Sequence, residues 1–241
     1  MHRLPVQSAL LESRGVTDAG QDAAAHLRAI HPKNGEQIEL FDGAGRTRLY
    51  VWRGGALEAA GETVEHPRRG GAPLVLFACI SKGQRWDWTL AKATELGASR
   101  IVPVLSERTI VRIDAGEREA KRARWMRVAE DAARQSGAAW LPRIDAATPF
   151  GEALALASET ACFAGIIADP PPPPLLKAVM ECKRRGRPLA LFVGPEGDFT
   201  PEERDALAAV AAPCSFGPSV LRTETAAVFG LSILSAAADL V

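Results

Sequence analysis

The sequence predicts a small all-β segment followed by a larger α/β segment built on a parallel sheet. Three observations carry this. Up to about residue 70, short runs alternate apolar and polar residues and are separated by glycine turns. From Leu74 the runs become continuously apolar and alternate with helical stretches, as strands buried on both faces do. Between Leu189 and Ala227, two apolar runs each stop at a Gly-Pro turn, Gly194-Pro195 and Gly217-Pro218, that leads into a helix start. Ligands of open α/β sheets bind at such turns, so the two suggest one shared pocket.

In chain order, Asp22 to Ala29 reads as a helix. Gln37 to Phe41 and Thr47 to Trp52 alternate around Asp42-Gly43-Ala44-Gly45, a hairpin signal. Ala56 to Glu65 offers a further strand, and short strands with glycine turns suggest a small barrel. Arg68 to Pro73 reads as a linker. Leu74 to Ile80 is a strand, Gln84 to Leu96 a helix stopped by Gly97, and Arg100 to Leu105 a strand. Glu117 to Ser136 is a long arginine-rich helix, and Ala161 to Ala168 a buried strand. Pro170 to Pro174 form a stiff connection that no helix tolerates. Leu175 to Arg185 is a helix and Leu189 to Val193 a strand. Thr200-Pro201-Glu202-Glu203 is a capping box with proline at the first helical position. Thr223 suits the cap of the last helix, Ala226 to Leu240, with Glu224 in its first turn. That helix is apolar nearly all round, so it is buried on more than one side, against the sheet and against a second subunit.

A hydrophobic content of 47% gives ample core. No run reaches the roughly eighteen apolar residues of a membrane span, and the N-terminus has no apolar signal region. The expectation is a cytoplasmic protein with no membrane partner. Cys79, Cys162, Cys182 and Cys214 are far apart and read as reduced thiols. The net charge is zero, yet residues 73–147 carry +4 and residues 148–241 carry −4. A basic middle points to a polyanionic partner.

All four histidines, His2, His26, His31 and His66, precede the α/β segment. A Ser-His-Asp triad or a histidine metal site is thereby excluded there, and no metal is expected. Phosphate-loop and common dinucleotide fingerprints are absent. Carboxylates, arginines and the backbone of the two turns remain. The Gly194-Pro195-Glu196-Gly197 turn can bring N–H and C=O groups close to a ligand; it also suits a plain strand-to-helix turn.

G-P-E-G-D-F-T-P-E-E followed by F-G-P-S-V-L-R-T-E-T-A-A closely resembles the small-subunit (16S) ribosomal RNA uracil-N3 methyltransferase family, RsmE-like enzymes of the knotted SPOUT class. K-G-Q-R-W-D-W-T-L-A-K-A-T-E-L-G, A-R-Q-S-G, H-L-R-A-I and L-F-D-G-A-G resemble further family segments, so the likeness covers nearly the whole chain. It implies a PUA-like β-barrel that binds RNA over residues 1–70. It further implies a SPOUT-type parallel sheet with a C-terminal trefoil knot over residues 74–241. S-adenosylmethionine is the implied cofactor, held by Val193, Gly194, Pro195, Glu196, Gly197, Phe216, Gly217, Pro218, Val220, Leu221, Thr225 and Ala226. The implied substrate is small-subunit ribosomal RNA or the assembled small subunit, and the implied assembly a homodimer.

Uracil N3 carries a proton at neutral pH, so methylation there needs a base or a stabilised anion. Glu224 is the candidate base and Arg222 the candidate for the uracil oxygen charge; Glu224 also suits a helix cap or a pair with Arg222. Arg28, Lys82, Arg85, Lys92, Arg108 and Arg134 occupy family-like positions for RNA contact. Trp86 and Trp88 suit stacking on bases or packing of their helix. The sequence departs from the family pattern at Asp198, usually glycine; at Phe216, usually leucine; at Ser219, usually arginine; and at Ala138 or Ala139, where arginine is common. Two rival readings share these features: a knotted enzyme acting on a ribose 2′-hydroxyl or on transfer RNA, and a non-catalytic ribosome-assembly factor.

Overall fold

The computed structural model describes residues 1–16, 21–68, 72–182 and 186–238. The chain forms two compact units, Met1–Arg68 with Glu130–Leu141, and Arg69–Ala129 with Pro142–Val241. Half of the predicted linker, residues 69–71, lies outside the described residues, as do residues 17–20, 183–185 and 239–241.

In the first unit, strands β1 (His2–Pro5), β2 (Gly15–Val16), β3 (Gln37–Phe41), β4 (Arg46–Arg53), β5 (Ala56–Ala59) and β6 (Val64–Glu65) accompany helix α1 (Gln21–Ile30). They form one sheet, ordered β1-β3-β4-β5-β2, with β6 also on β4. The β3–β4 hairpin follows the alternation, pairing Gln37 with Val51 through Phe41 with Thr47. Asp42 closes it by accepting from the backbone N–H groups of Ala44 and Arg46. Alternation puts Ile38, Leu40, Tyr50 and Leu57 into the core with Leu4, Leu11, Val16 and Leu27. Two features depart from the sequence reading. The 56–65 stretch is two strands broken around Gly61. And β1, too short to show a period, pairs parallel with β3. Residues 130–141 belong to this unit because the Trp140 indole fills the space that a Cβ on Gly45 would take, 2.3 Å away, and donates to the His66 carbonyl.

The second unit contains β7 (Leu74–Cys79), α2 (Gln84–Glu95), β8 (Arg100–Leu105), the start of α3 (Arg118–Ser136), β9 (Arg143–Ile144), β10 (Thr148–Pro149), α4 (Phe150–Ala157), β11 (Ala161–Gly165), α5 (Leu175–Met180), β12 (Leu189–Val193), α6 (Pro201–Ala208), β13 (Ala211–Cys214) and α7 (Thr223–Ala238). The sheet is parallel throughout and ordered β10-β8-β7-β12-β11-β13, with β9 on β8. Continuous apolar runs are what such doubly covered strands require, and β7 and β12 are buried at every residue. One face packs Val75, Phe77, Ala190 and Phe192, where the Phe77 and Phe192 rings stack at 5.3 Å. Helix α7 packs on β7, β12, α2 and α5, which explains its apolar circumference.

Strand β11 stops at Gly165, three residues short of the predicted end. A Cβ there would lie 2.3 Å from the Phe216 ring. Helix α7 approaches β12 equally closely at Gly230, where a Cβ would lie 2.4 Å from the fully buried Leu191 side chain. A valine there gains about 0.5 kcal/mol of helix propensity at most, whereas overpacking a filled core costs about 1–3 kcal/mol. Gly230→Val is expected to lower the unfolding free energy by about 2 kcal/mol, read from the midpoint of chemical denaturation.

Candidate active site

Because β12, β11 and β13 are parallel neighbours, their carboxyl ends share one edge of the sheet. The loops leaving that edge enclose a cleft of about 970 Å³. One wall is Val193 to Glu196 with Asp198, a second is Ser215 to Thr223 with Ala226, and a third is Gly165 to Asp169 with Pro171 to Pro174 and Lys177. The predicted Val193, Gly194, Pro195, Glu196, Phe216, Gly217, Pro218, Val220, Leu221 and Ala226 all line it, and so does Arg222. Gly197 and Thr225 do not, and neither does Glu224, which lies between the lining residues Thr223 and Ala226. Gly197 turns its carbonyl to the Arg108 guanidinium at 3.0 Å, and Thr225 is exposed in the first turn of α7.

The third wall was read from sequence only as a stiff connection. It is stitched to the second wall by backbone bonds: Ser215 donates to the Pro173 carbonyl at 2.9 Å and Leu175 to the Ser215 carbonyl at 3.1 Å. A proline run offers few N–H groups of its own, so it holds position through its carbonyls and its ends. Nothing in the run itself signals a site; its place follows from β11 lying between β12 and β13.

The turn glycines have distinct causes. At Gly194 a Cβ would meet the Phe199 ring at 2.9 Å, so packing selects glycine there. At Gly217 the backbone has φ +116, a left-handed conformation with open space around it. Thr223 is the first residue of α7, and its hydroxyl donates to the Gly194 carbonyl at 3.2 Å instead of capping the helix. That bond ties the two turns together. The Thr200–Glu203 capping box forms as read, and Glu203 also accepts from the Glu107 backbone N–H at 2.8 Å.

Glu224 is mostly buried, and its Oε2 has no hydrogen-bond partner. Its ionic partner is Arg85, 3.9 Å away, and not Arg222. Arg85 also lies 3.6 Å from Glu196. Arg222 is exposed and makes no ion pair among the described residues. Of the residues expected to touch RNA, Lys82 is exposed on the loop after β7, Lys92 holds Glu95 at 2.8 Å, and Arg108 braces Gly197 and Phe199. Arg28 and Arg134 belong to the first unit. Arg134 faces the His26 ring at 2.7 Å and pairs with Asp131. Burial first, then Arg134 and His2, lower the His26 pKa against Asp131. Trp86 is buried edge-on against Trp125, while Trp88 is partly exposed. Burial pushes the Cys79 and Cys214 thiols up to about 12, so neither serves as a nucleophile near neutral pH. Among the described residues no His, Cys, Asp or Glu cluster is arranged to hold a metal ion, and no helix is long and apolar enough to cross a membrane.

The cleft suits an adenosyl sulfonium in kind. Val193, Ile166 and Leu221 supply apolar cover, backbone groups of two turns line it, and Glu196 supplies negative charge. Comparison with known proteins gives the class: residues 69–235 match the family model for an RNA methyltransferase domain. A Bacillus subtilis protein named ribosomal RNA small subunit methyltransferase E is 31% identical over 65% of this chain, which spans 62% of that protein's length. A Mycobacterium bovis protein of the same name is 31% identical over 86% of this chain and 80% of its own. The crystal structure of the Neisseria gonorrhoeae methyltransferase E bound to S-adenosyl methionine superposes with a TM-score of 0.83 at 26% identity, covering 98% of this chain and 97% of that one. The chain belongs to the RNA methyltransferase family, in the branch of the ribosomal RNA small subunit methyltransferases E.

Asp198, at the family's usual glycine, has φ +58. Its carboxylate accepts from the Phe199 N–H at 2.7 Å and pairs with Arg204. Short side chains with local bonds tolerate this conformation, which otherwise costs about 1–2 kcal/mol. Asp198→Gly is expected to keep the unfolding free energy within about 1 kcal/mol of the parent, and Asp198→Ala to lose about 1–2 kcal/mol, both by denaturant titration.

Proposed function

We propose that this chain transfers the methyl group of S-adenosylmethionine to N3 of a uridine in small-subunit ribosomal RNA. Methylation of small-subunit RNA with this cofactor rests on family membership. The choice of N3 rests on the resemblance of the Leu221–Ala226 segment, and one observation carries it to the structure. Glu224 presents a buried, unpartnered carboxylate oxygen beside a cleft that Arg222 lines.

When bound, S-adenosylmethionine supplies an electrophilic methyl group. The chain's own task is to hold the uracil and manage its proton. Glu224 accepts the N3 proton as general base. Arg222, with no competing carboxylate, meets the negative charge that spreads onto the uracil oxygens. The walls of the cleft exclude water and fix the approach.

The finer architecture belongs to the same proposal. The three stitched loops form the trefoil knot of the SPOUT class, and residues 1–70 form a PUA-like RNA-binding barrel ahead of a catalytic domain over residues 74–241, of which residues 130–141 join the barrel's unit. Exposed Leu176 and Met180 on α5 and Phe229 on α7, two helices that pack on each other, support a homodimer built on that face. Arg28 and Lys82 are the RNA contacts the structure leaves most open. The cytoplasm, where the ribosomal substrate is made, is the proposed compartment.

The test is incubation with labelled S-adenosylmethionine and small ribosomal subunits lacking the modification, followed by mapping of the labelled nucleoside. Label on a uracil base is expected; label on ribose, or none, overturns the reading. Arg222→Ala is expected to lower transfer about 100-fold with cofactor affinity, by calorimetry, unchanged. Equal turnover in both proteins removes Arg222 from its role.

A further inference from the structure

We propose that Arg85 is a positioning residue of the active site, a clamp that joins Glu196 on the cleft wall to Glu224 in the first turn of α7, and not a contact to RNA. This rests on the methyl-transfer reading above. Arg85 lies in the first turn of α2, just beyond the carboxyl end of β7. Its Nη1 is 3.6 Å from Glu196 Oε1 and its Nε 3.9 Å from Glu224 Oε1. Among the described residues, no other cation lies within ion-pair distance of either carboxylate.

The fold aims this side chain from three directions. β7 and β12 are parallel neighbours, so the turn carrying Glu196 leaves the sheet beside the loop that starts α2. α7 packs on α2, which brings the first turn of one to the first turn of the other. Beside Arg85, Trp86 is buried with its ring 5.8 Å from Trp125, and Asp87 is held by Arg124. The first turn of α2 is thus pinned by its next two residues, leaving Arg85 to the carboxylates.

Chemistry favours the clamp. A guanidinium presents donors on separate edges of one plane and serves two carboxylates at once, which an ammonium does not do in the same geometry. Both distances exceed a hydrogen bond, so Arg85 is shared between the acids and locked to neither. A phosphate approaching it would meet the negative charge of both carboxylates. Glu224 is only 14% exposed, with one oxygen already unpartnered. Without Arg85 it would be a mostly buried charge with no counter-ion, free to leave its present position.

The test uses the full chain as Arg85→Ala and Arg85→Lys, with small subunits lacking the modification. Arg85→Ala is expected to lower kcat about 30-fold or more. Affinity for S-adenosylmethionine, by calorimetry, and for the subunit, by filter binding, is expected to stay within about threefold. Arg85→Lys restores only part of kcat, and it keeps the test open if the alanine variant does not fold. Loss of subunit affinity with kcat intact makes Arg85 an RNA contact and overturns the proposal, as does an unchanged kcat. A thermal-unfolding cycle of Arg85→Ala, Glu224→Gln and the double variant reads the clamp without activity. The single arginine loss is expected to lower Tm by about 3 °C and the double variant to lose no more. Strictly additive losses overturn the clamp. If the parent puts no label on uracil, the function reading fails, and this cycle still decides whether Arg85 holds Glu224.

Discussion

Strand β12 lies between two parallel partners, and the site depends on that pairing. Leu189 to Val193 run in register with Leu74 to Ala78 on one side, and Leu189 to Phe192 with Ala161 to Ala164 on the other. With both faces apolar, hydrophobicity alone does not fix the register of such a strand. Size does. The face carrying Phe77 and Phe192 is filled by stacked rings, whereas the face carrying Leu191 is covered by α7 at Gly230. A slip of one residue would drive Phe192 into the helix backbone and leave a void opposite Phe77. Correct register in turn places the ends of β7, β12, β11 and β13 along one edge, where every wall of the cleft begins.

The loops at that edge are held by more than their strands. Thr223 joins the turn after β12 to the start of α7, Pro173 and Ser215 join the walls flanking β11 and β13, Arg108 braces the turn that contains Gly197, and Glu203 ties the start of α6 to Glu107. Phe199 under Gly194 and Phe216 against Gly165 fill the space that side chains would otherwise occupy. A site whose groups are positioned before the ligand arrives needs little reorganisation during reaction, which is where enzymes gain most electrostatic stabilisation. The larger Phe216, in place of the family's usual leucine, finds its room beside a glycine, and Asp198 supplies by hydrogen bonding what glycine supplies by freedom.

Much of this was legible in the residues. Continuous apolar runs marked the parallel strands, Thr200 to Glu203 marked a helix start to the residue, and the two Gly-Pro turns marked two walls of the cleft. The third wall was not legible because a proline run has the same composition whether it connects or encloses. β1 was missed because four residues carry no period, and residues 130–141 because what places them is Trp140 against Gly45, a contact between distant parts of the chain. The charges were hardest. Arg85, Lys92 and Arg108 stand in the sequence as candidates for RNA contact, and the structure gives each a partner, across the fold for Arg85 and Arg108 and one turn along its own helix for Lys92.

That difference divides the labour among the charges of the site. A guanidinium beside two carboxylates already has its charge offset, so it offers less to a new anion than an unpaired one does. Arg85 is in that position and Arg222 is not. Under the proposed reaction, charge arising on the uracil falls to Arg222, and Arg85 stays with the neighbouring acids. The two arginines differ in kind: one is unpaired among the described residues, and the other has two acidic neighbours. Arg222 stands just ahead of α7 and Arg85 in the first turn of α2, so the packing of those two helices is the contact that brings Arg85 to Glu224.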